Sequence, residues 1–157
     1  MTKPLLLAGL ALILASSNWA IFSREQLKAS GTVVYLELAP VDPRSLMQGD
    51  YMALRYKIDL TTPAAGTGPA GFLIVRLDER RVARAIGWNT EPAASELRLK
   101  YRTLHGRTTI GSDAFFFEEG SAGVYQRARF GEFRVDSQGN ALLTGLRDGN
   151  LQRLGAK

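Results

Sequence analysis

Residues 5–15 contain no polar side chain, and residues 4–22 carry no charge. A helix needs about 20 apolar residues to cross a bilayer, so residues 1–22 read as a single N-terminal transmembrane helix. Lys3 precedes the run, and Trp19 suits an interfacial anchor. Residues 23–30 turn polar and read as a short helical connector. After Gly31 the period changes from that of a helix to two. Over 32–38 Val34, Leu36 and Leu38 fall on one face, and Leu97, Leu99, Tyr101 and Thr103 alternate with Arg98, Lys100 and Arg102 over 96–104. Segments 72–77 and 82–88 flank Asp78-Glu79-Arg80-Arg81, and 130–135 and 141–146 flank Asp136-Ser137-Gln138-Gly139-Asn140, so each pair is expected to form a hairpin. A further strand is expected over 110–117. Residues 61–71, rich in Gly, Pro, Ala and Thr, read as a flexible linker. Residues 118–128 are the best helix outside the membrane segment, although Gly120 and Gly123 weaken it.

The elements add up to a mostly β domain with one short helix, either a small barrel or a folded antiparallel sheet, behind one transmembrane helix. The expected division is an anchor at 1–22, a connector at 23–30, a β domain at 31–148 and a polar tail at 149–157. The anchor run has a rival reading as a cleavable signal peptide, with Ala15-Ser16-Ser17 near a cleavage point. The uncleaved anchor is preferred, because the apolar run continues through Trp19-Ala20-Ile21-Phe22 and no clean A-x-A site is present.

Composition narrows the chemistry. At 157 residues, 45% hydrophobic and 22% charged, the chain suits one folded domain. It has no cysteine, which excludes a disulfide, a thiolate metal site and a cysteine nucleophile. His105 is its one histidine, in an expected turn, and a lone histidine makes no metal site. No cofactor and no metal are expected. The net charge of +5 suits anionic headgroups or an acidic partner. No RNP, zinc-finger or helix-turn-helix pattern accompanies it, so nucleic acid is not the expected partner. The basic row Arg98, Lys100, Arg102 is read first as the solvated face of a half-buried strand, and second as a docking surface for anionic lipid or an acidic partner.

The most informative stretch is Gly49-Asp50-Tyr51-Met52-Ala53-Leu54-Arg55-Tyr56. It reads as a tight turn entering a strand over 51–60, with Met52, Leu54, Tyr56 and Ile58 on one face and Tyr51, Ala53, Arg55 and Lys57 on the other. Gly49, Asp50, Tyr51, Leu54 and Tyr56 fill every named position of the GDYxxLxY motif, and the chain resembles the family of bacterial membrane-anchored proteins named for it. The resemblance covers nearly all of the chain past the anchor and is strongest over 36–56 and 117–146. It implies an N-terminal anchor in the cytoplasmic membrane with the C-terminal domain in the periplasm, and a multi-pass membrane protein as partner. It implies an accessory or interaction role rather than a reaction.

Two clusters invite a sharper reading. Asp42, Arg44 and Asp50 surround the turn and either bind a ligand or partner, or serve the turn itself through backbone bonds and an ion pair; the architectural reading is preferred. Glu118 and Glu119 precede Tyr125 and Glu132. Two acids at a helix start complement the helix dipole, while acid–base catalysis needs a second acid nearby in a closed pocket, which Glu132 could supply. Candidate interaction or motif residues are therefore Asp42, Arg44, Gly49, Asp50, Tyr51, Leu54, Tyr56, Glu118, Glu119 and Tyr125, with none assigned to catalysis. The layout of anchor, Gly-Asp pair and alternating strand is also similar to that of signal peptidases, which use a Ser-Lys dyad. The position that pattern gives to the nucleophile holds Val41, Ser45 stands where it has a threonine, and Lys100 lies on the basic face. A Ser-Lys hydrolase and a small-ligand or lipid-binding envelope module remain the alternatives.

Overall fold

The structure, a computed structural model, describes residues 2–39, 47–48, 51–60, 68–104 and 107–155. Helix α1 (Thr2–Ser30) takes in both the anchor run and the polar connector without a break. Its segment Leu7–Ser30 is long and apolar enough to cross a membrane, and none of it is buried against the rest of the chain. At about 1.5 Å per residue, the polar stretch 23–30 carries the helix about 12 Å past the apolar run. Arg134 Nη1 donates to the carbonyl of Gly31 at 3.1 Å, fastening the exit of the helix to the sheet that follows.

Past α1 the protein is mostly β, with strands curled into a half-barrel. Strand β1 (Thr32–Glu37) pairs antiparallel with β9 (Phe130–Val135), which pairs with β10 (Ala141–Arg147). A second sheet has the order β5 (Ala83–Trp88), β4 (Ala70–Leu77), β6 (Glu96–Leu104), β7 (Arg107–Ile110). The third is small: β2 (Met47–Gln48), β3 (Tyr51–Ala53) and β8 (Ala114–Phe116). Single bridges join the sheets, Tyr35 to Val82 and Leu38 to Tyr56. One core lies inside the curl, built from Val34, Leu36, Leu54, Tyr56, Leu73, Val75, Leu99, Tyr101, Ile110, Phe133 and Leu146 among others.

One turn is used three times. Asp78, Asp136 and Asp148 each accept, on Oδ1, the amides two and four residues ahead, at 2.9–3.0 Å. The residue three ahead has positive φ in each case: Arg81 at 62°, Gly139 at 80°, Leu151 at 62°. The carboxylate satisfies amides that the sharp reversal would strand. The bond from the Val82 amide is the main cause holding the Asp78 carboxyl below its usual range, against a smaller opposing effect of burial. At Asp136 burial is the largest influence and opposes ionisation, but the bonds from Asn140 and Gln138 and the charge of Lys100 together outweigh it.

Both expected hairpins and strand 96–104 form as read. Three expectations are corrected. The motif strand ends at Ala53, because β8 offers only three partners; residues 57–60 form a 3-10 turn. The alternation of burial nevertheless runs on through Met52, Leu54, Tyr56 and Ile58, with Arg55 and Lys57 exposed. The expected strand 110–117 is broken into β7 and β8 at Gly111, whose φ is +67°. The expected helix 118–128 shrinks to one turn, α2 (Ala122–Tyr125), since Gly120 takes φ +79° and ends any earlier helical path. Over residues 148–155 the Asp148 turn sends the chain back along β10, where Arg153 bridges Arg147 and Leu154 is buried in the core.

Burial at Leu54 and exposure at Lys57 set up a direct comparison. Leu54→Ala is expected to cost about 2–4 kcal/mol as a cavity, measured by denaturant unfolding. Lys57→Ala should stay within about 0.5 kcal/mol of the parent, because its pair with Glu37 at 3.3 Å is exposed on both sides. Equal losses at the two positions would contradict the assigned faces.

Candidate functional site

An open cleft of about 1310 Å³ lies between α1 and the β domain. That is larger than the roughly 300–1,000 Å³ of small-molecule sites. On the helix side Ala20, Ser23, Arg24 and Leu27 line it. Their spacing of three, four and seven residues places them on one stripe of α1. On the domain side the outward face of the second sheet contributes Phe72, Lys100 and Arg102. Phe72 pairs with Lys100 across the strands, and Arg102 with Thr109, so these side chains share that face. Residues 111–116 form the next wall, and Asp136, Asn140 and Leu142 complete the rim.

The motif stands directly behind the 111–116 wall. The Leu54 amide donates to the carbonyl of Asp113 at 2.7 Å, and the Tyr56 hydroxyl to the carbonyl of Ser112 at 3.0 Å. Tyr51, Met52 and Ala53 pair with Phe116, Phe115 and Ala114, and the Tyr51 and Phe116 rings lie 5.6 Å apart. The Tyr56 ring meets Phe133 edge-on at 5.4 Å. It can do so only because Gly131 has no side chain: a Cβ there would sit 2.9 Å from the Tyr56 ring and 3.1 Å from that of Phe133. Leu54 and Tyr56 thus act from inside the core on a wall of the cleft.

The other sequence candidates scatter. Asp42, Arg44, Gly49 and Asp50 lie outside the described residues, as do Val41, Ser45, His105 and the linker residues 61–67. Glu118 and Glu119 are exposed and precede α2, whose first turn has no acid, so the expected pairing with a helix dipole is not made. Tyr125 is buried, its ring 5.0 Å from Phe117 and 5.2 Å from Phe115, where it packs the core beneath Gly155. Glu132 does not complete an acid pair. It is buried, and Arg147 grips its Oε2 through Nε and Nη2, each at 2.6 Å. Arg147 also donates from Nη1 to the carbonyl of Leu151 at 3.0 Å and lies over the Tyr35 ring. Lys100 is exposed, and its Nζ donates to Asn140 Oδ1 at 2.8 Å. Among the described residues no group of three or more His, Cys, Asp or Glu side chains is placed to hold a metal ion.

Sequence reasoning found the basic strand but not the cleft. The helical stripe at positions 20, 23, 24 and 27 was the available signal, and nothing local says which strand it faces. Comparison with curated proteins and with solved structures returned no match. The family model described as "GDYXXLXY protein" matches residues 13–146, which takes in the second half of the apolar helix, the motif and every strand but the last residue of β10. The buttressed wall, the motif that holds it and the preceding apolar helix fall within one match, and the chain belongs to the GDYXXLXY family.

Proposed function

We propose that this protein is a single-pass component of the cytoplasmic membrane, with its β domain on the periplasmic side, serving as a non-enzymatic accessory to a multi-pass membrane partner. One observation carries the anchor. Leu7, Leu10, Leu12, Ile13, Leu14, Trp19, Ile21 and Phe22 are all exposed, at 54–73% of their surface, along a helix with no charge between residues 4 and 22. So large an apolar surface is stable in hydrocarbon and not in water. The periplasmic side, the accessory role and the partner rest on membership of the family and its resemblances.

The anchor is tested by carbonate washing of membranes. The protein should stay in the pellet with residue 1 or 2 at its N-terminus. Release into the soluble fraction, or a mature N-terminus near Asn18, would contradict it. The accessory role is tested by crosslinking the full-length protein in native membrane and recovering its neighbours. Repeated recovery of one multi-pass protein supports the reading. Covalent labelling of Ser45 by a serine-reactive acylating probe would instead favour a Ser-Lys hydrolase. The setting of Lys100 speaks against that reading, since an activated lysine base has to be shielded from water and this one lies open in the cleft.

A further inference from the structure

We infer that the cleft between α1 and the β domain holds the headgroup of an anionic glycerophospholipid of the membrane in which the protein is anchored. The inference rests on the anchored reading and adds a ligand, a site and a selectivity to it.

The first support is position. Arg24 follows the last apolar residues of the anchor, Ile21 and Phe22, by one turn or less. A basic residue there sits at headgroup depth when the apolar run fills the hydrocarbon. Arg24 also lines the cleft, so the cleft opens at that depth.

The second is charge. Arg24, Lys100 and Arg102 come from two distant parts of the sequence and line one cleft. Among the described residues none of the three forms an ion pair within 4 Å; Lys100 donates to the neutral oxygen of Asn140 and feels the charge of Asp136 only at longer range. Two carboxylates share the cleft. Asp136 accepts from the amides of Gln138 and Asn140 and from Asn140 Nδ2, neutral donors that leave its negative charge in place. Asp113 and Asp136 together offset two of the three cations, which leaves one positive charge in excess. The excess suits a phosphodiester, which offers oxygens to more than one cationic side chain at once.

The third is the apolar wall beside the cations. Phe116 lines the cleft while 75% exposed, although its neighbours in the motif sheet are half-buried or buried. Leu142 lies on the same lining. An exposed aromatic at headgroup depth gains by meeting the glycerol and upper acyl region of a lipid. A soluble acidic protein would satisfy the cations without using that wall, so the lipid is the better occupant.

The test uses full-length protein in a mild neutral detergent, titrated with phosphatidylglycerol or phosphatidylcholine of identical chains and read by native mass spectrometry. The first phosphatidylglycerol should bind at least about tenfold more tightly than phosphatidylcholine, since each basic residue near an anionic lipid contributes on the order of a fivefold gain. Arg102→Gln and Lys100→Gln should each lose about fivefold of that preference, and Arg102→Lys should keep most of it. Arg84→Gln, on β5 beside Asp78 and outside the cleft, should leave it unchanged. Thermal melts of the variants matching the parent confirm that the fold is intact. Equal binding of the two lipids overturns the inference, and so does an equal loss in Arg84→Gln, which would mark diffuse charge. Displacement of phosphatidylglycerol by millimolar inorganic phosphate overturns the lipid as the source of the anion. Carbonate washing reads the anchor alone, so these failures leave that reading separately decided.

Discussion

Replacing Tyr56 with alanine is expected to remove about 3–5 kcal/mol of stability, the cost of deleting a fully buried aromatic ring. Tyr56 is 1% exposed, and its ring fills the space left open over Gly131 against Phe133. Domains of this kind are stable by only about 5–15 kcal/mol, so the loss is a large fraction of the total. Tyr56→Phe keeps the ring and removes the hydroxyl that donates to Ser112. Its cost should be about 1 kcal/mol, the net worth of one hydrogen bond. Denaturant unfolding of the full-length protein in micelles measures both. A Tyr56→Ala loss no larger than that of Tyr56→Phe would show that the ring is not a core element.

The second large effect is expected at Arg147. Its guanidinium neutralises Glu132, which is only 5% exposed, and at the same time ties down the carbonyl of Leu151 in the last turn. Arg147→Ala leaves a buried carboxylate without its cation and a carbonyl without its donor. A loss of about 3–5 kcal/mol is expected. Much of that is the cost of stranding the charge, so Glu132→Gln combined with Arg147→Ala should recover about 1–3 kcal/mol relative to the sum of the single changes. Additive losses in that double-mutant cycle would mean that the two side chains act independently. Segment 148–154 should also become more sensitive to proteolysis in Arg147→Ala, because that side chain is one of the ties that hold it along β10.

These two residues illustrate what can be read from the chain before its fold is known. The alternation through Tyr56 assigned the buried face correctly, yet it said nothing about hydrogen bonding, and the strand stops at Ala53 while the buried positions continue. Face depends on neighbours two apart; pairing depends on a partner elsewhere in the sequence. Strand 96–104 and the two hairpins were legible because period and turn signals agreed. The break at Gly111 was signalled by Gly-Ser-Asp, where Ser112 Oγ bonds the backbone of Ala114, but the aromatic run after it suggested a continuous strand. The Asp148 turn was legible in principle, since it has the same Asp with a positive-φ residue three ahead as the turns at Asp78 and Asp136. Residues 149–157 show no alternating run to mark a second strand after it, and that concealed it. The Glu132–Arg147 pair and the cleft were not legible, because each joins residues whose proximity is set by the curl of the sheets. Of the candidate residues, Leu54, Tyr56 and Tyr125 turn out to pack the core, and Tyr51 supports the cleft wall through Phe116.

The motif holds the 111–116 wall of the cleft from behind, through the Leu54 amide, the Tyr56 hydroxyl and the pairing of β3 with β8. Amide hydrogen exchange on the full-length protein and on Tyr56→Phe tests it most directly. In the parent the Leu54 amide, bonded to Asp113, and the amides of β3 that pair with β8 should be protected. In Tyr56→Phe, exchange should accelerate over 51–54 and 111–116, with β4 and β6 keeping their parent rates. Unchanged exchange over 111–116, or acceleration spread evenly through β4 and β6, would contradict the claim.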